Sequence, residues 1–269
     1  MANIVFPFLK WAGGKRWLAS SCRHLFPKVT GRHIEPFAGS AAMFFALQAD
    51  RAIIADVNER LIEGYKSIRD NVEQFERHFR WFAQNHSEAF YYAVRQQKFR
   101  SAAKRAAQFV YLNRVCFNGI YRENLKGEFN VPLGSKTSVI LETDNFRNVS
   151  ALLQRVELLA CDFEYVVDLA GKEDLLYVDP PYTTKHNYNG FVKYNQNIFS
   201  WEDQTRLALA VKRAHHRGAF VVVSNADHSE VRALYSDQFS VLSVERLNVI
   251  ASKSRYRGRT TEMVATNVG

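Results

Sequence analysis

The chain has 269 residues, 47% hydrophobic and 23% charged, which indicates a folded protein of one large domain or one domain with an insertion. The formal net charge of +9 favours a polyanionic partner. The 3 cysteines are far apart, so we expect no disulfide framework, no metal site and a cytoplasmic location. We see no signal peptide and no apolar run of about 18 residues, so no membrane association is expected. Nothing points to an obligatory protein partner.

The first motif, KWAGGK at Lys10–Lys15, places a glycine pair beside a lysine. Paired glycines at the start of a helix let backbone N–H groups approach an anionic group. The spacing does not meet the phosphate-binding P-loop pattern. From these residues alone, an ordinary loop leading into a helix over residues 16–26 is the simpler interpretation.

The next segment predicts two strands of an open α/β sheet. Residues 33–47 predict a strand, a small-residue turn around Gly39 and a helix, the unit by which such sheets bind a nucleoside cofactor. Residues 51–56 predict a strand ending in Asp56, where an acid can bind both ribose hydroxyls. Asp56 could instead cap a helix beginning at Asn58. Together, the turn and the acid favour a nucleoside cofactor, and the absence of G-x-G-x-x-G disfavours a nicotinamide one.

A helical segment with uneven charge follows. Apolar residues recur at helical spacing from Asn58 to about Phe117, which predicts a helical insertion. Between Arg95 and Lys126 there are eight basic residues and one acid, Glu123. A solvated helix face accounts for some of these charges, but with the basic composition they favour contact with phosphates.

The insertion ends in a predicted β-hairpin. Glycine-marked turns and interleaved apolar residues between positions 113 and 134 are typical of hairpins. Asparagine and arginine, as at Asn118 and Arg122, are the side-chain types that read purine edges. A purely structural loop is the alternative.

The α/β pattern then resumes. Residues 156–160 predict a strand and residues 163–169 a helix. Asp162 and Phe163 could hydrogen-bond and stack an adenine ring, or simply cap and pack the helix. Near the carboxyl end, cations alternate from Lys253 through Arg255, which on an extended chain points them the same way. They could contact phosphates or keep an edge strand soluble.

The segment Leu175–Tyr182 reads LLYVDPPY, a short buried strand that ends at Asp179. Two prolines then fix the chain and remove two backbone donors. A flat, amino-bearing base would fit there: Asp179 could accept one N–H of an exocyclic amino group, the Pro180 carbonyl the other, and Tyr182 could stack on the ring. A proline-stopped strand with Asp179 capping a turn is the alternative.

In this order, the motifs resemble those of Dam-type DNA adenine methyltransferases, over nearly the whole chain from Phe8 to at least Glu262. Each motif is only moderately specific, and the DPPY tetrapeptide also resembles that of enzymes methylating other amino groups. Five in register are a strong match. They are KWAGGK at 10–15, EPFAGS at 35–40, Asp56, the stretch 113–134 and DPPY at 179–182.

The resemblance implies an α/β fold with a Rossmann-like, S-adenosylmethionine-dependent methyltransferase sheet and a helical plus β-hairpin target-recognition insertion. Residues 1–57 and 145–269 would form the catalytic domain, and residues 58–144 the insertion that binds double-stranded DNA. The reaction would transfer a methyl group to the N6 amino group of a flipped adenine, with GATC a frequent target in the family. Methylation of a cytosine amino group, or a non-catalytic DNA-binding protein on the same scaffold, are the alternatives.

The resemblance, together with the charge pattern, implies the following site residues. The predicted catalytic residues are Asp179, Pro180 and Tyr182. The residues predicted to bind S-adenosyl-L-methionine are Lys10, Trp11, Ala12, Gly13, Lys15, Glu35, Pro36, Phe37, Gly39, Asp56, Asp162, Phe163 and Asp179. The residues predicted to bind DNA are Lys10, Arg95, Arg114, Phe117, Asn118, Ile120, Arg122, Pro132, Lys253 and Arg255.

The chain departs from the family pattern in two places. Ser40-Ala41-Ala42 stands where members commonly have another glycine, and we expect an alanine to be tolerated. Ser135 and Lys136 follow Gly134 where an arginine is common, which leaves the recognised DNA sequence open.

Overall fold

The structure is a computed structural model of the chain. Within its described residues, no helix is long and apolar enough to span a membrane. The predicted cofactor residue Ala12 and the predicted DNA-binding residues Lys253 and Arg255 lie outside them. The described residues are 5–11, 13–124, 127–135, 138–183, 199–247 and 259–268.

Within the part of the chain that the structure describes, seven strands form one sheet, in the order β3-β2-β1-β4-β5-β7-β6. The mixed α/β architecture predicted from the sequence is therefore confirmed. In chain order the strands are β1 (His33–Glu35), β2 (Ala52–Asp56), β3 (Val156–Ala160), β4 (Leu175–Val178), β5 (Phe220–Ala226), β6 (Ser240–Leu247) and β7 (Arg259–Thr266).

The helices begin at side-chain caps in several cases: Asn58, Ser87 and Ser101 each accept a hydrogen bond from the backbone N–H three residues on. The helix predicted over residues 16–26 is shorter, because it ends at Ser21 and a separate 3-10 turn follows. The helices of the described residues are α1 (Arg16–Ser21), α2 (Ala42–Leu47), α3 (Glu59–Gln84), α4 (Glu88–Gln96), α5 (Ala102–Val115), α6 (Phe146–Leu153), α7 (Phe163–Asp168), α8 (Trp201–His216) and α9 (Ser229–Ala233).

One of two compact units comprises Met1–Arg16, Ala38–Asp50 and Ile54–Cys161, and we call it the first unit. Its helical part is the segment predicted from the apolar spacing, and α3 to α5 confirm it. Phe75, Phe79 and Phe82 on α3 are buried, and Phe82 stacks on Tyr111 of α5 with ring centroids 5.5 Å apart. Aromatic stripes of this kind form the core between the helices.

The second unit comprises Trp17–Phe37, Arg51–Ile53 and Asp162–Gly269. In it β1, β4 and β5 run parallel, with Leu176 opposite Ile34 and Val221. β7 pairs antiparallel with β5 and with β6. Every residue of β4 is buried, which is why this strand is an unbroken apolar run in the sequence. Because β1 and β4 are parallel, the residues that follow them lie at the same edge of the sheet.

The two units do not follow the predicted division at residues 57 and 144, because β3 and α6 join the helices of the first unit. Arg69 of α3 donates to the Val156 carbonyl of β3 at 3.1 Å, and Ser150 of α6 donates to the Arg69 carbonyl at 2.9 Å. The division into a catalytic domain and a DNA-binding insertion concerns function and stays a prediction.

Candidate active site and DNA-contact residues

The Asp179–Tyr182 motif begins where β4 ends, in the second unit. Asp179 is half-buried and Pro180 is buried. Because Pro180 and Pro181 have no N–H, the segment offers their carbonyl oxygens but no donors of its own there. A carboxylate and a carbonyl followed by an aromatic ring can chemically receive a planar group that carries an amino substituent.

Tyr182 is anchored at its hydroxyl end. Its Oη lies 3.4 Å from Oγ of Ser224 on β5, and Ser224 Oγ donates to Glu262 on β7 at 3.4 Å. Both partners are buried. Burial raises the pKa of Tyr182 well above its usual value, and the charges of Asp179 and Glu262 raise it further. The residue as a whole is half-buried, but its hydroxyl group lies against the buried Ser224. The phenol therefore stays neutral, and the contact fixes the position of the ring.

The residues at the end of β1 form a second part of this unit. Glu35 is 2% exposed, and its Oε1 lies 2.7 Å from Nε2 of His33, two residues earlier on the same face of the strand. Pro36 is buried. Phe37 stacks on Phe163 with centroids 5.4 Å apart, so the structure brings together two predicted cofactor residues that are distant in sequence.

Asp162 caps α7, the role that the sequence left open beside cofactor binding. Its side chain accepts from the Glu164 N–H, and Arg206 of α8 donates to both its oxygens at 2.9 Å. These bonds from Arg206 lower the pKa of Asp162. The guanidinium also lies 4.2 Å from the Phe163 ring centroid. Half of the Asp162 side chain, 52%, is still exposed and accessible to a ligand.

In the first unit, Asp56 is held by the backbone at the end of β2. Gly39 N–H donates to one carboxylate oxygen at 3.1 Å and Asn58 N–H to the other at 3.0 Å. Burial raises the pKa of Asp56, while these two bonds lower it. Asp56 does not cap α3, because Asn58 itself does so by accepting from Leu61 N–H. Each oxygen keeps a lone pair that a ligand hydroxyl could use.

Trp11 of the KWAGGK motif packs directly on the glycine turn. A Cβ at Gly39, whose φ is +45°, would lie 2.7 Å from Cδ1 of the indole, so only glycine fits. Trp11 also stacks on Tyr121, with centroids 6.2 Å apart and ring planes 13° from parallel. Lys15 is buried, and its Nζ donates to the Gly13 carbonyl at 3.0 Å.

Lys10 is tied to the end of α5. Its N–H donates to Asn113 Oδ1 at 2.9 Å, and its Nζ donates to the Arg114 carbonyl at 2.6 Å. Asn113 is fully buried and donates in turn to the carbonyls of Lys10 and Gly119. Asn113 is not among the site residues predicted from the sequence. Here it joins the KWAGGK segment to the start of the predicted hairpin through Gly119.

Arg114 has a different role from the predicted phosphate contact. Its side chain is 0% exposed and makes a two-pronged ion pair with Asp144, at 2.5 and 2.6 Å. It also donates to the carbonyls of Phe8 and Val139. With its donors bonded inside the unit, Arg114 is a structural residue, and the prediction that it contacts DNA is corrected on this ground.

The predicted hairpin is present as two isolated antiparallel bridges, Cys116 with Leu133 and Glu123 with Phe129. Phe117 is 50% exposed, Asn118 is exposed with φ +55°, and Ile120 is half-buried. Arg122 and Pro132 are exposed as well. The structure therefore leaves these five predicted DNA contacts accessible on one hairpin.

Arg95 supports the hairpin from α4. It donates to the Val131 carbonyl at 3.0 Å, beside the bond from the Tyr91 hydroxyl to the same oxygen at 2.8 Å. The residue is half-buried, so part of it is accessible. Among the described residues, no cluster of three or more metal-ligating side chains is found.

Comparison with known proteins decides between the interpretations. The family model of the D12 class N6 adenine-specific DNA methyltransferases matches residues 11–250. The chain belongs to this family. It therefore has the methyltransferase fold of the class and is an enzyme that methylates adenine in DNA at N6.

Individual relatives agree with this assignment. A type II methyltransferase of Lactococcus lactis subsp. cremoris is 35% identical over 98% of this chain and 95% of its own. The DNA adenine methylase of Haemophilus influenzae is 32% identical over 96% of this chain and 92% of its own. The DNA N-6-adenine-methyltransferase of Escherichia phage P1 is 34% identical over 93% of this chain, and the match covers 34% of the length of the phage protein.

Proposed function

We propose that this methyltransferase uses S-adenosyl-L-methionine to methylate adenine in double-stranded DNA, within the sequence GATC. The carrying observation is the segment after β4: a half-buried carboxylate, two prolines without donors, and a neutral tyrosine anchored through Ser224. When bound, S-adenosylmethionine supplies a methyl group already activated on a sulfonium. The protein must therefore mainly hold the adenine nitrogen in the reactive orientation.

The catalytic segment holds the adenine amino group. Asp179 accepts one N–H and the Pro180 carbonyl the other, which orients the nitrogen lone pair and stabilises positive charge developing on nitrogen. Tyr182 stacks on the ring of the extrahelical base. Flipping the base costs a few kcal/mol of unstacking, which the stacking and the two hydrogen bonds offset.

The residues of the first unit fit a nucleoside cofactor. The Asp56 carboxylate is fixed by two backbone N–H groups, and its remaining lone pairs suit a pair of ribose hydroxyls. The glycine turn is shaped by Trp11, which leaves no room for a side chain at Gly39. In the second unit, Asp162 and Phe163 are proposed to contact the cofactor adenine, with Arg206 holding the carboxylate in place.

The exposed side chains of the hairpin would contact DNA. Phe117, Asn118 and Ile120 would contact bases, and Arg122 phosphates or a purine edge. Lys10, Arg95 and Pro132 are proposed to support or extend this contact. The net charge of +9 would add a salt-dependent attraction to duplex DNA.

The deciding experiment measures transfer of labelled methyl from S-adenosylmethionine to two forms of one plasmid, one lacking GATC methylation and one already methylated there. Label in the unmethylated form alone supports the donor, the duplex substrate and the site. Equal label in both keeps the donor and substrate but assigns another target sequence. Absence of label from both contradicts the proposed donor or substrate.

A further inference from the structure

Two buried amides lie next to the catalytic segment, and the chemistry proposed above does not use them. Gln204 on α8 and Asn225 on β5 are both 0% exposed. Buried amides are costly unless hydrogen-bonded, so their partners decide what they contribute.

These partners form a series of hydrogen bonds in which each group donates to the next. The backbone N–H of Ala226 can only donate, and it does so to Asn225 Oδ1 at 2.8 Å. The Asn225 amide nitrogen therefore faces Gln204 and donates to its Oε1 at 3.0 Å. Because Gln204 Oε1 faces Asn225, the side-chain nitrogen of Gln204 faces Pro181. This nitrogen donates to the Pro181 carbonyl at 3.4 Å. The last contact is long, as contacts around catalytic groups often are before substrate binds.

This series of hydrogen bonds ends at the catalytic segment, Asp179–Tyr182, in which Pro180 and Pro181 have no backbone donor. Because Pro180 and Pro181 have no N–H, the segment can be tethered there only through groups that donate to its carbonyls. The Pro181 carbonyl belongs to the peptide that leads into Tyr182. Fixing this peptide plane fixes the approach of the Tyr182 ring and of the neighbouring Pro180 carbonyl.

The helix that carries Gln204 is itself fixed at its start. Ser200 and Asp203 form a reciprocal capping box at the first turn of α8. The buried Thr183 hydroxyl, one residue after Tyr182, donates to the Phe199 carbonyl at 2.7 Å. The start of α8 is thus tied to the catalytic segment both before and after Tyr182.

We propose that Gln204 and Asn225 are positioning residues for methyl transfer, an amide relay that orients the Pro181–Tyr182 peptide. This inference rests on the proposed roles of Pro180 and Tyr182. The relay fixes the orientation of the groups that bind the base. The affinities for cofactor and for DNA depend on other residues.

Two variants break the relay with almost no change in side-chain volume. Gln204→Glu keeps an acceptor for Asn225 but loses the donor to Pro181. Asn225→Asp keeps the acceptor for Ala226 N–H but turns the Gln204 amide round, so that an oxygen faces the Pro181 carbonyl. Gln154→Glu is the chemical control, since Gln154 also donates to a backbone carbonyl, that of Arg69 at 2.7 Å, within the first unit.

The experiment measures single-turnover methyl transfer to duplex DNA, with enzyme concentration taken from the stoichiometry of cofactor binding. The rate per binding-competent molecule should fall about 10- to 100-fold in Gln204→Glu and in Asn225→Asp, the scale of a small misplacement of reacting groups. The dissociation constants for cofactor and DNA should change by no more than about threefold, and Gln154→Glu should match the wild type.

A wild-type rate in either relay variant would overturn the proposal, as would variants that yield no cofactor-binding protein, because the relay would then serve folding alone. Weakened cofactor or DNA binding with an unchanged single-turnover rate would overturn it too. Absence of transfer by the wild-type enzyme is a separate result, which would contradict the proposed function instead.

Discussion

At the scale of single residues, Asp179 carries the largest expected effect. Asp179→Ala should lower methyl transfer by about 100- to 1000-fold, because an acceptor of the adenine amino group is lost. Cofactor binding, measured by calorimetry, should be largely retained. Asp168→Ala is the control, since Asp168 is an exposed carboxylate paired with Arg213. An Asp179→Ala enzyme as active as this control would contradict the assignment.

The buried hydroxyl of Tyr182 gives a second residue-scale prediction, in stability against pH. Burial first, and then Asp179 and Glu262, raise the pKa of Tyr182 above the usual 10.0. The folded chain therefore keeps the phenolic proton to higher pH than the unfolded chain. Its contribution to the free energy of unfolding is complete below pH 10 and is lost as pH rises further.

Tyr182→Phe should thus flatten the loss of stability above pH 10, as measured by urea unfolding across the alkaline range. Tyr165→Phe, at a side chain that is 61% exposed, serves as the control and should leave the wild-type slope. The same slope in Tyr182→Phe and in the wild type would show that the Tyr182 hydroxyl does not titrate in this way.

At the scale of elements, α2 is bounded by two residues in left-handed conformation. Ala41 precedes the helix with φ +48° and Gln48 follows it with φ +49°. The alanine expected to be tolerated in the glycine turn thus stands in a region that costs L-residues roughly 1–2 kcal/mol. Its buried methyl group offsets part of this cost.

Gln48, the residue that follows α2, allows the cost of the left-handed conformation to be tested. Gln48→Gly should raise the free energy of unfolding by about 0.5–1 kcal/mol, because glycine adopts the left-handed conformation after a helix without strain. Urea unfolding measures the change. Arg77→Gly, at an exposed position of α3 well inside the helical stretch that follows the kink at Asn71, should instead lower it by about 1 kcal/mol. Destabilisation by both substitutions would contradict the strain at Gln48.

At the scale of the whole molecule, Arg114 joins parts of the first unit that are far apart in sequence. It links α5 to the Phe8 carbonyl, the Val139 carbonyl and Asp144. Arg114→Met should lower the free energy of unfolding by about 3–5 kcal/mol, because it leaves the Asp144 charge buried and unpaired. The double variant with Asp144→Leu should recover part of this loss.

Arg122→Ala separates stability from DNA contact. Arg122 is exposed on the hairpin and donates to Asn130 Oδ1 at 2.8 Å. Its loss should change the free energy of unfolding by no more than about 0.5 kcal/mol. DNA affinity should fall, and if Arg122 neutralises a phosphate, the slope of log affinity against log salt should shrink by about 1. Unchanged affinity and slope would exclude Arg122 from the interface.

The sequence by itself determined the fold class and the segments that carry chemistry. The strand Leu175–Val178 is an unbroken apolar run because it is buried throughout, and Asp179 with the two prolines marks where it must end. Helical spacing likewise identified α3 to α5, because an apolar stripe must face a core wherever that core lies. These are local properties, and a motif such as DPPY contains them within a few residues.

Only the tertiary structure decided which polar side chains face inward. Arg114 is a plausible phosphate contact in sequence, and its partner Asp144 lies 30 residues away. Nothing in the sequence distinguishes Gln204 and Asn225 from other amides. The fold brings Asn225 of β5 to Gln204 of α8, and Gln204 donates to the Pro181 carbonyl. The role of a buried polar group depends on the hydrogen-bond partners that replace water around it. In a sheet with crossovers, those partners come from segments that are distant in sequence.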